Sequence, residues 1–293
     1  MAHISKFAVP AVVLATSGAL LAGCGSGSTS TQSTSLLSKV KSTHQLVFAI
    51  SPFAPQDFQN SKQQWTGYDV NILRGFAKSL GAKLVFDHLS FAASITAVSQ
   101  KRADVTIDIY ETKARAKVLS FSRPMLNYND AIVVNSQHPA ITTDSVSALK
   151  GKTIGVVTGS AEVAEAVALE KQTPSDVKYY PNISDCFQAL STGRIDATIQ
   201  PSTDPAWSKA QNPALHIKIL GAVPQSVAPP VQGLRGYYAV PKGQYSASFL
   251  KKLNAYLLKI QKNGTEQKIL DKYGLTSPVF LQGIASAPNS YTP

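Results

Sequence analysis

Short apolar runs and amphipathic stretches alternate along most of this 293-residue chain. Runs such as 46–50, which turn-forming residues bound, predict buried β-strands. Stretches such as 69–80, whose apolar positions recur every three or four residues, predict helices that end at a glycine. In the first half of the chain the pattern predicts strands at 46–50, 83–86, 104–109 and 131–135, and helices at 69–80, capped by Asp69, and at 91–100.

A second set of similar elements begins near residue 149. The pattern predicts strands at 153–157, 177–180, 194–200 and 236–240, and helices at 161–172, from Ser184 to Gly193, at 248–262 and at 265–273. Strands that alternate with helices favour parallel sheets with helices on both faces. The two sets therefore predict an α/β protein with two lobes, and ligands of such folds bind at the carboxyl ends of the strands. We expect the site in a cleft between the lobes.

The N-terminus has the pattern of an export signal. Lys6 precedes an apolar stretch, 8–21, that is too short to span a bilayer comfortably. It ends in Leu-Ala-Gly-Cys at 21–24, which resembles the bacterial lipobox, where the chain is cut before a cysteine that carries a diacylglycerol. Glycine, serine and threonine dominate the next residues, as in a flexible tether. We expect a signal peptide at 1–23 and a tether at 24–40 that a lipid on Cys24 anchors to the outer face of the cell membrane.

Composition and charge narrow the function. Hydrophobic residues make up 44% and charged residues 15% of the chain, which is typical of a globular protein. The formal net charge is +11, but the lysines and arginines stand singly or in pairs, whereas a nucleic-acid partner requires a clustered patch. Cys186 is left without a second cysteine for a disulfide, and the HExxH, GxSxG and phosphate-loop motifs are absent. We expect no nucleic acid, metal, cofactor or catalytic residue.

Short segments spread over about 44–275 resemble the bacterial extracellular solute-binding proteins of family 3, which bind polar amino acids. They occur in the order and spacing of that family. The segments are Thr-Gly-Tyr-Asp-Val-Asn at 66–71, Lys-Arg-Ala-Asp-Val at 101–105, Thr-Lys-Ala-Arg at 112–115, Leu-Ser-Phe-Ser-Arg-Pro at 119–124, Leu-Lys-Gly-Lys at 149–152, Val-Thr-Gly-Ser at 157–160 and Thr-Gly-Arg-Ile-Asp-Ala at 192–197.

The resemblance implies a periplasmic-binding-protein-like fold of type II, with the ligand between two lobes that two crossing strands join, here near 131–135 and 236–240. Lobe 1 would then consist of 41–133 and 235–293, and lobe 2 of 134–234. It further implies a monomeric substrate-binding protein of an ABC importer. Such a protein closes by a hinge motion around a small polar solute and delivers it to a membrane permease.

The resemblance also assigns residues to the cleft. Arg115 stands where family members bind the ligand's α-carboxylate, a role that suits a planar donor pair. Thr112 adds a hydroxyl or a backbone donor beside it. Gly159 and Ser160 match a turn whose amides, at a helix start, attract an anion. Phe91 matches an aromatic that packs over the ligand, and Phe53 is a candidate for its counterpart.

The cleft departs from the family pattern at the position that holds an α-ammonium. The carboxylate expected after the last lobe 2 strand falls on Pro201, and the first-strand acid becomes Ser51. Asp108 and Tyr110 stand where small or hydroxyl residues are usual. Either Asp108 or Asp204 takes over the cation, which we favour, or the ligand is a carboxylate without an α-ammonium.

Two other functions remain open on this fold. A few relatives are dehydratases or peptidoglycan lyases, and such an enzyme would require a protonatable carboxyl in the cleft, for which Asp108 is the candidate. A ligand-sensing partner of a membrane receptor is the other alternative. The identity of the solute also stays open.

Overall fold

The computed structural model describes residues 35–224 and 235–289, in which strands and helices alternate. The strands are β1 (Gln45–Ile50), β2 (Phe58–Gln59), β3 (Trp65–Thr66), β4 (Lys83–His88), β5 (Val105–Thr106), β6 (Asp108–Tyr110), β7 (Leu119–Phe121), β8 (Leu126–Asn127), β9 (Asp130–Asn135), β10 (Thr153–Val157), β11 (Asp176–Tyr180), β12 (Ala197–Pro201), β13 (Ile217–Ala222) and β14 (Arg235–Pro241). The helices are α1 (Leu36–Thr43), α2 (Tyr68–Ser79), α3 (Phe91–Ser99), α4 (Lys113–Ala116), α5 (Glu162–Gln172), α6 (Ile183–Ser191), α7 (Thr203–Gln211), α8 (Gln244–Lys262) and α9 (Thr265–Asp271). Short 3-10 helices span Val146–Leu149 and Pro278–Phe280.

Lobe 1 contains two small sheets and an antiparallel pair of short strands, β2 and β3. In the first, β1 lies between β4 and β5, and all three strands are parallel. In the second, β14 pairs antiparallel with β6, β7 and β8. Helix α2 follows the apolar spacing of the sequence and buries Ile72, Leu73 and Phe76 in the core.

Lobe 2 contains one five-stranded sheet in the order β11-β10-β12-β9-β13. β10 is parallel to β11 and β12, whereas β9 runs antiparallel to β12 and β13. Ile154, Val156 and Ile199 contribute to a core of their own beneath this sheet. The elements from β9 to β13 therefore form a separate layered unit, whereas β14, α8 and α9, which the pattern places in the second set, pack in lobe 1.

The strands predicted to cross between the lobes each lie inside a single sheet. β9 belongs to the sheet of lobe 2, and β14 belongs to the second sheet of lobe 1. The first crossing is instead the pair Tyr128 and Asn129, between β8 and β9. The second lies between β13 and β14, partly outside the described residues. The lobe boundaries 41–133, 134–234 and 235–293 stay a prediction.

Helix α1 corrects the predicted end of the tether. The tether was placed at 24–40, but the chain is helical from Leu36, and Leu36 and Val40 are completely buried. Ser35 caps this helix by accepting a hydrogen bond from the amide of Ser38 at 3.2 Å. Burial of two aliphatic side chains one turn apart explains why this segment is held against the lobe. The signal peptide and Cys24 lie outside the described residues.

Three local predictions were wrong in detail. The strand predicted at 104–109 is two strands, because the Asp108 amide donates to Asp69 Oδ2 at 2.8 Å and the chain passes from the first sheet to the second. Gly67, not Asp69, is the N-cap of α2. Asn182, not Ser184, caps α6, and its side chain accepts from the Asp185 amide at 3.0 Å.

Candidate ligand-binding cleft

A small cavity lies where residues of the two lobes meet. Its volume is about 20 Å³, room for about one water, so the lobes must separate to admit a solute. Twelve residues line it: Phe53, Gln56, Phe91, Asp108, Ile109, Tyr110, Arg115, Tyr128, Ser160, Ala161, Glu162 and Pro201.

Arg115 connects the two walls of the cavity. It lies on the short helix α4, where Thr112 acts as N-cap and accepts from the Arg115 amide at 3.2 Å. Its guanidinium donates to the Tyr110 carbonyl and, across the cleft, to the Gly159 carbonyl, both at 2.8 Å. The guanidinium carbon stands 5.5 Å from the centre of the Phe91 ring, a cation–π distance. Burial lowers the pKa of Arg115 to about 10, which still leaves it charged at neutral pH.

The turn at the start of α5 differs from its predicted role. Gly159 has a φ of +80° and presents its carbonyl, not its amide, to Arg115. The Ser160 amide donates to the Val157 carbonyl at 3.0 Å, so it is engaged within the turn. Buried Glu162 lies at the first position of α5; burial raises its pKa, and hydrogen bonds from Ser160 and from its own amide oppose that rise. A carboxylate of the chain itself therefore occupies the helix start that was expected to hold a ligand anion.

Asp108 marks the other end of the cavity. One oxygen of its buried carboxyl group, Oδ2, accepts a short hydrogen bond from the Tyr128 hydroxyl. The same hydroxyl accepts from the Gln56 side chain at 2.6 Å and is hydrogen-bonded to the Tyr68 hydroxyl at 2.5 Å. Burial raises the pKa of Asp108 to about 6, and the hydrogen bonds from Tyr128 oppose that rise. This carboxyl group therefore changes charge close to neutral pH.

Further buried carboxyl groups surround this end of the cleft. Asp57, Asp69 and Asp204 are completely buried. Burial raises the pKa of each well above its usual range, and the repulsion between these groups and Asp108 adds to the rise. Asp69 is held by the Tyr238 hydroxyl at 2.7 Å. This end of the cleft therefore contains several carboxyl groups whose burial favours the protonated, uncharged form.

Comparison with known protein families agrees with this geometry. The family model of the bacterial extracellular solute-binding proteins, family 3, matches residues 46–276. The chain belongs to this family. The two-lobed α/β architecture that the sequence predicts is thereby confirmed.

Relatives of this solute-binding protein include binders and enzymes. It is 26% identical over 263 residues to the probable amino-acid-binding protein YxeM of Bacillus subtilis, covering 89% of this chain and 93% of YxeM. It is 25% identical over 228 residues to the membrane-bound lytic murein transglycosylase F of Pseudomonas putida, covering 75% of this chain but only 44% of that protein.

Solved structures of the same fold are amino-acid binders. An ancestral arginine-binding protein bound to arginine is 31% identical, with a TM-score of 0.69 over 78% of this chain and 98% of its own. The substrate-binding protein AbpA of an amino acid ABC transporter from Streptococcus pneumoniae, bound to L-arginine, is 25% identical, with a TM-score of 0.70 over 81% of this chain and 98% of its own. An ancestral arginine-binding protein bound to glutamine is 29% identical, with a TM-score of 0.69 over 79% of this chain and 98% of its own.

Several residues that the sequence places in the cleft of this solute-binding protein do line the cavity. Phe53 and Phe91 face each other with ring centres 5.8 Å apart. The Tyr110 ring lines the cavity, but its hydroxyl donates to Asp130 at 2.6 Å. These join Arg115, Asp108, Ser160 and Pro201 among the lining residues.

Other expected site residues lie outside the cavity lining. Ser51 is buried at the end of β1, Thr112 serves as a helix cap, and Gly159 contributes its carbonyl to Arg115. Asp204, in the first turn of α7, is completely buried and is not among the lining residues. Of the two acids considered as replacements for the carboxylate lost at Pro201, Asp108 is the one that lines the cavity.

Sequence reasoning missed Gln56, Tyr128 and Glu162. Gln56 lies in the polar loop after β1, and Tyr128 lies at the crossing between the lobes; neither position belongs to a recognisable motif. Glu162 lies two residues after Ser160, and an acidic residue in the first turn of a helix was a readable signal.

Proposed function

We propose that this chain is the substrate-binding lipoprotein of an ABC importer and binds a small solute with a carboxylate, an amino acid or a derivative, between its lobes. The observation that carries the proposal is the placement of Arg115, a charged side chain that lines the cavity and contacts both walls. A buried guanidinium is costly unless its charge and its donors are paired, and Arg115 has N–H donors beyond the two that the Tyr110 and Gly159 carbonyls accept.

Carboxylate recognition by Arg115 follows from its donors. Two hydrogen bonds to backbone carbonyls orient the guanidinium, and its other N–H groups are available to a ligand carboxylate. Because the Gly159 carbonyl belongs to the opposite wall, closing the cleft completes the surroundings of Arg115. We infer a hinge motion at the two crossing segments, the pair Tyr128 and Asn129 and the stretch between β13 and β14.

Substitution of Arg115 tests this function. We expect Arg115→Ala to weaken binding of a cognate amino acid by at least about tenfold, the scale of losing a charge-assisted hydrogen-bond pair. Isothermal titration calorimetry measures the effect, after a thermal-shift screen has identified a binding amino acid. Arg115→Lys keeps the charge but loses the planar donor pair. Its affinity for the amino acid should lie between that of the unaltered protein and that of Arg115→Ala. Unchanged affinity in Arg115→Ala contradicts the proposed site.

We also propose that a lipid on Cys24 anchors the mature protein outside the cytoplasmic membrane. The described residues contain no helix that is long and apolar enough to span a membrane. We expect Cys24→Ser to move the protein from the membrane fraction to a soluble fraction, and Cys186→Ser, which alters the buried cysteine of α6, to leave it membrane-bound. Fractionation and immunoblotting measure this. Equal membrane retention of both variants excludes the lipid anchor.

We propose a binding role rather than catalysis, with a membrane permease as the partner. Support comes from the relatives that match along most of their own length and are named as amino-acid binders, whereas the transglycosylase match covers less than half of that protein.

A further inference from the structure

The cavity lining contains buried hydrogen-bond acceptors that no group of the chain satisfies. Among the described residues that line it, Asp108 Oδ1 and Gln56 Oε1 are buried and have no hydrogen-bond partner. Asp108 is 3% exposed and Gln56 is 3% exposed, so bulk water does not serve these atoms. A buried acceptor without a donor is costly, and a ligand that supplies N–H donors removes that cost.

The charges of the lining residues point to the same ligand chemistry. Within the described lining, the carboxyl groups of Asp108 and Glu162 stand on opposite walls, and Arg115 is the one permanent cation. Arg115 and Glu162 attract each other, whereas the surroundings of Asp108 include the carboxyl groups of Asp57, Asp69 and Asp204. A solute of zero net charge would leave this cavity with an uncompensated negative charge.

We propose that the cleft selects a net positive solute of the basic amino acid class, with one charged nitrogen group bound by Asp108 and Gln56. The inference rests on the proposed function, because it takes Arg115 as the carboxylate partner. Two carboxyl groups and one guanidinium in the lining complement two cationic groups and one carboxylate in the solute. Pro201 supplies no charge or amide donor where the family pattern places an acid. A cationic group of the solute therefore needs another acidic partner in the lining, and Asp108 is one.

Matched solutes test the proposal on the unaltered mature protein by calorimetry. L-arginine and L-citrulline have nearly the same shape, but citrulline carries a neutral urea group; L-lysine and L-norleucine form a second pair. We expect the cationic member of at least one pair to bind at least about tenfold more tightly than the neutral member, the scale of one charge-assisted contact. Equal or tighter binding of the neutral member in both pairs overturns the proposal, and so does the absence of binding by both cations.

A third solute separates this inference from the proposed function. Agmatine is arginine without its carboxylate, so it retains the cation but has no group for Arg115. If arginine binds more tightly than both agmatine and citrulline, both proposals are supported. If agmatine equals arginine and citrulline is weak, the cation subsite stands and the carboxylate role of Arg115 fails. If citrulline equals arginine, and norleucine equals lysine, the cation subsite fails while the carboxylate role stands.

A matched pair of variants assigns the subsite to Asp108. Asp108→Asn retains an acceptor for Tyr128 but removes the charge, and it should reduce the preference for the cationic solute by at least about tenfold. Asp130→Asn is the control, because Asp130 is also 3% exposed and also accepts from a tyrosine, but lies outside the cavity lining. An undiminished preference in a folded Asp108→Asn protein overturns the assignment. If that variant fails to fold, Gln56→Leu takes its place and should weaken the cationic solute.

Discussion

At the scale of single residues, the ionisation of Asp108 should set the pH dependence of binding. Burial raises the pKa of this carboxyl to about 6, so it is ionised above that pH and neutral below it. We therefore expect the affinity for a cationic solute to fall about tenfold per pH unit below about pH 6 and to level off above it. Calorimetry between about pH 5 and pH 8 measures this dependence.

The control for the pH dependence is Asp108→Asn, whose residual affinity should vary less over the same range. Other titratable groups interact with Asp108 from neighbouring elements and add to the profile; they are Asp57, Asp69, Asp204, Glu266, Tyr68, Tyr128 and Tyr238. A profile that is identical in the variant would assign the dependence to those groups and not to Asp108.

At the scale of an element, helix α9 contains a carboxyl group whose burial outweighs its favourable position. Glu266 lies in the first turn, where the helix dipole favours a negative charge by about 0.3–1 kcal/mol. It is nevertheless completely buried, and burial raises its pKa to about 8, with the nearby Arg123 opposing the rise. The folded chain thus holds a proton that the unfolded chain releases near its ordinary pKa of 4.5. The free energy of unfolding should therefore decrease as pH rises from about 4.5 to about 8.

Glu266→Gln removes this titration. We expect the variant to be more stable than the unaltered protein by on the order of 2 kcal/mol at about pH 9, with a smaller difference at about pH 5. Urea denaturation at the two pH values measures the change. Glu170→Gln, on the exposed face of α5, is the control. Its free energy of unfolding should differ from that of the unaltered protein by the same small amount at both pH values. A Glu266→Gln effect that is equal at the two pH values contradicts the buried-acid explanation.

At the scale of the whole molecule, Trp207 contributes an aromatic contact between the lobes. It lies on α7 of lobe 2. The centre of its ring is 5.4 Å from the ring centre of Phe58 and 5.7 Å from that of Tyr273, both in lobe 1. Such ring pairs contribute about 0.5–1.5 kcal/mol each beyond burial. Because this contact joins the lobes, Trp207→Ala should reduce the population of the closed form and weaken solute binding about threefold to tenfold. Calorimetry with a binding amino acid measures it.

The second tryptophan provides the control. Trp65 packs within lobe 1, with ring centres 5.0 Å from His88 and 6.3 Å from Phe86. We expect Trp65→Ala to lower the melting temperature but to change solute affinity less than Trp207→Ala does. Equal weakening by both variants would mean that the effect is a general loss of stability and not a loss of closure.

The two α/β lobes, the family and part of the cleft could be predicted from the amino-acid sequence. These depend on local information: apolar spacing predicts the elements, and segments such as 112–115 and 157–160 carry the resemblance. Arg115, Asp108, Phe53 and Phe91 could be placed in the cleft because the family pattern or a departure from it marks their positions.

The full set of residues that line the cleft, and the charges they bring, could be identified only in the tertiary structure. Gln56, Tyr128 and Glu162 come from three separate elements or loops, and no local sequence pattern predicts that they line the same cavity. In the packed structure the Gly159 carbonyl accepts from Arg115, and Asp204 is buried outside the cavity lining. The physical reason is that burial and the orientation of hydrogen-bonding groups depend on residues that are distant in sequence, whereas periodicity and motifs describe neighbours along the chain.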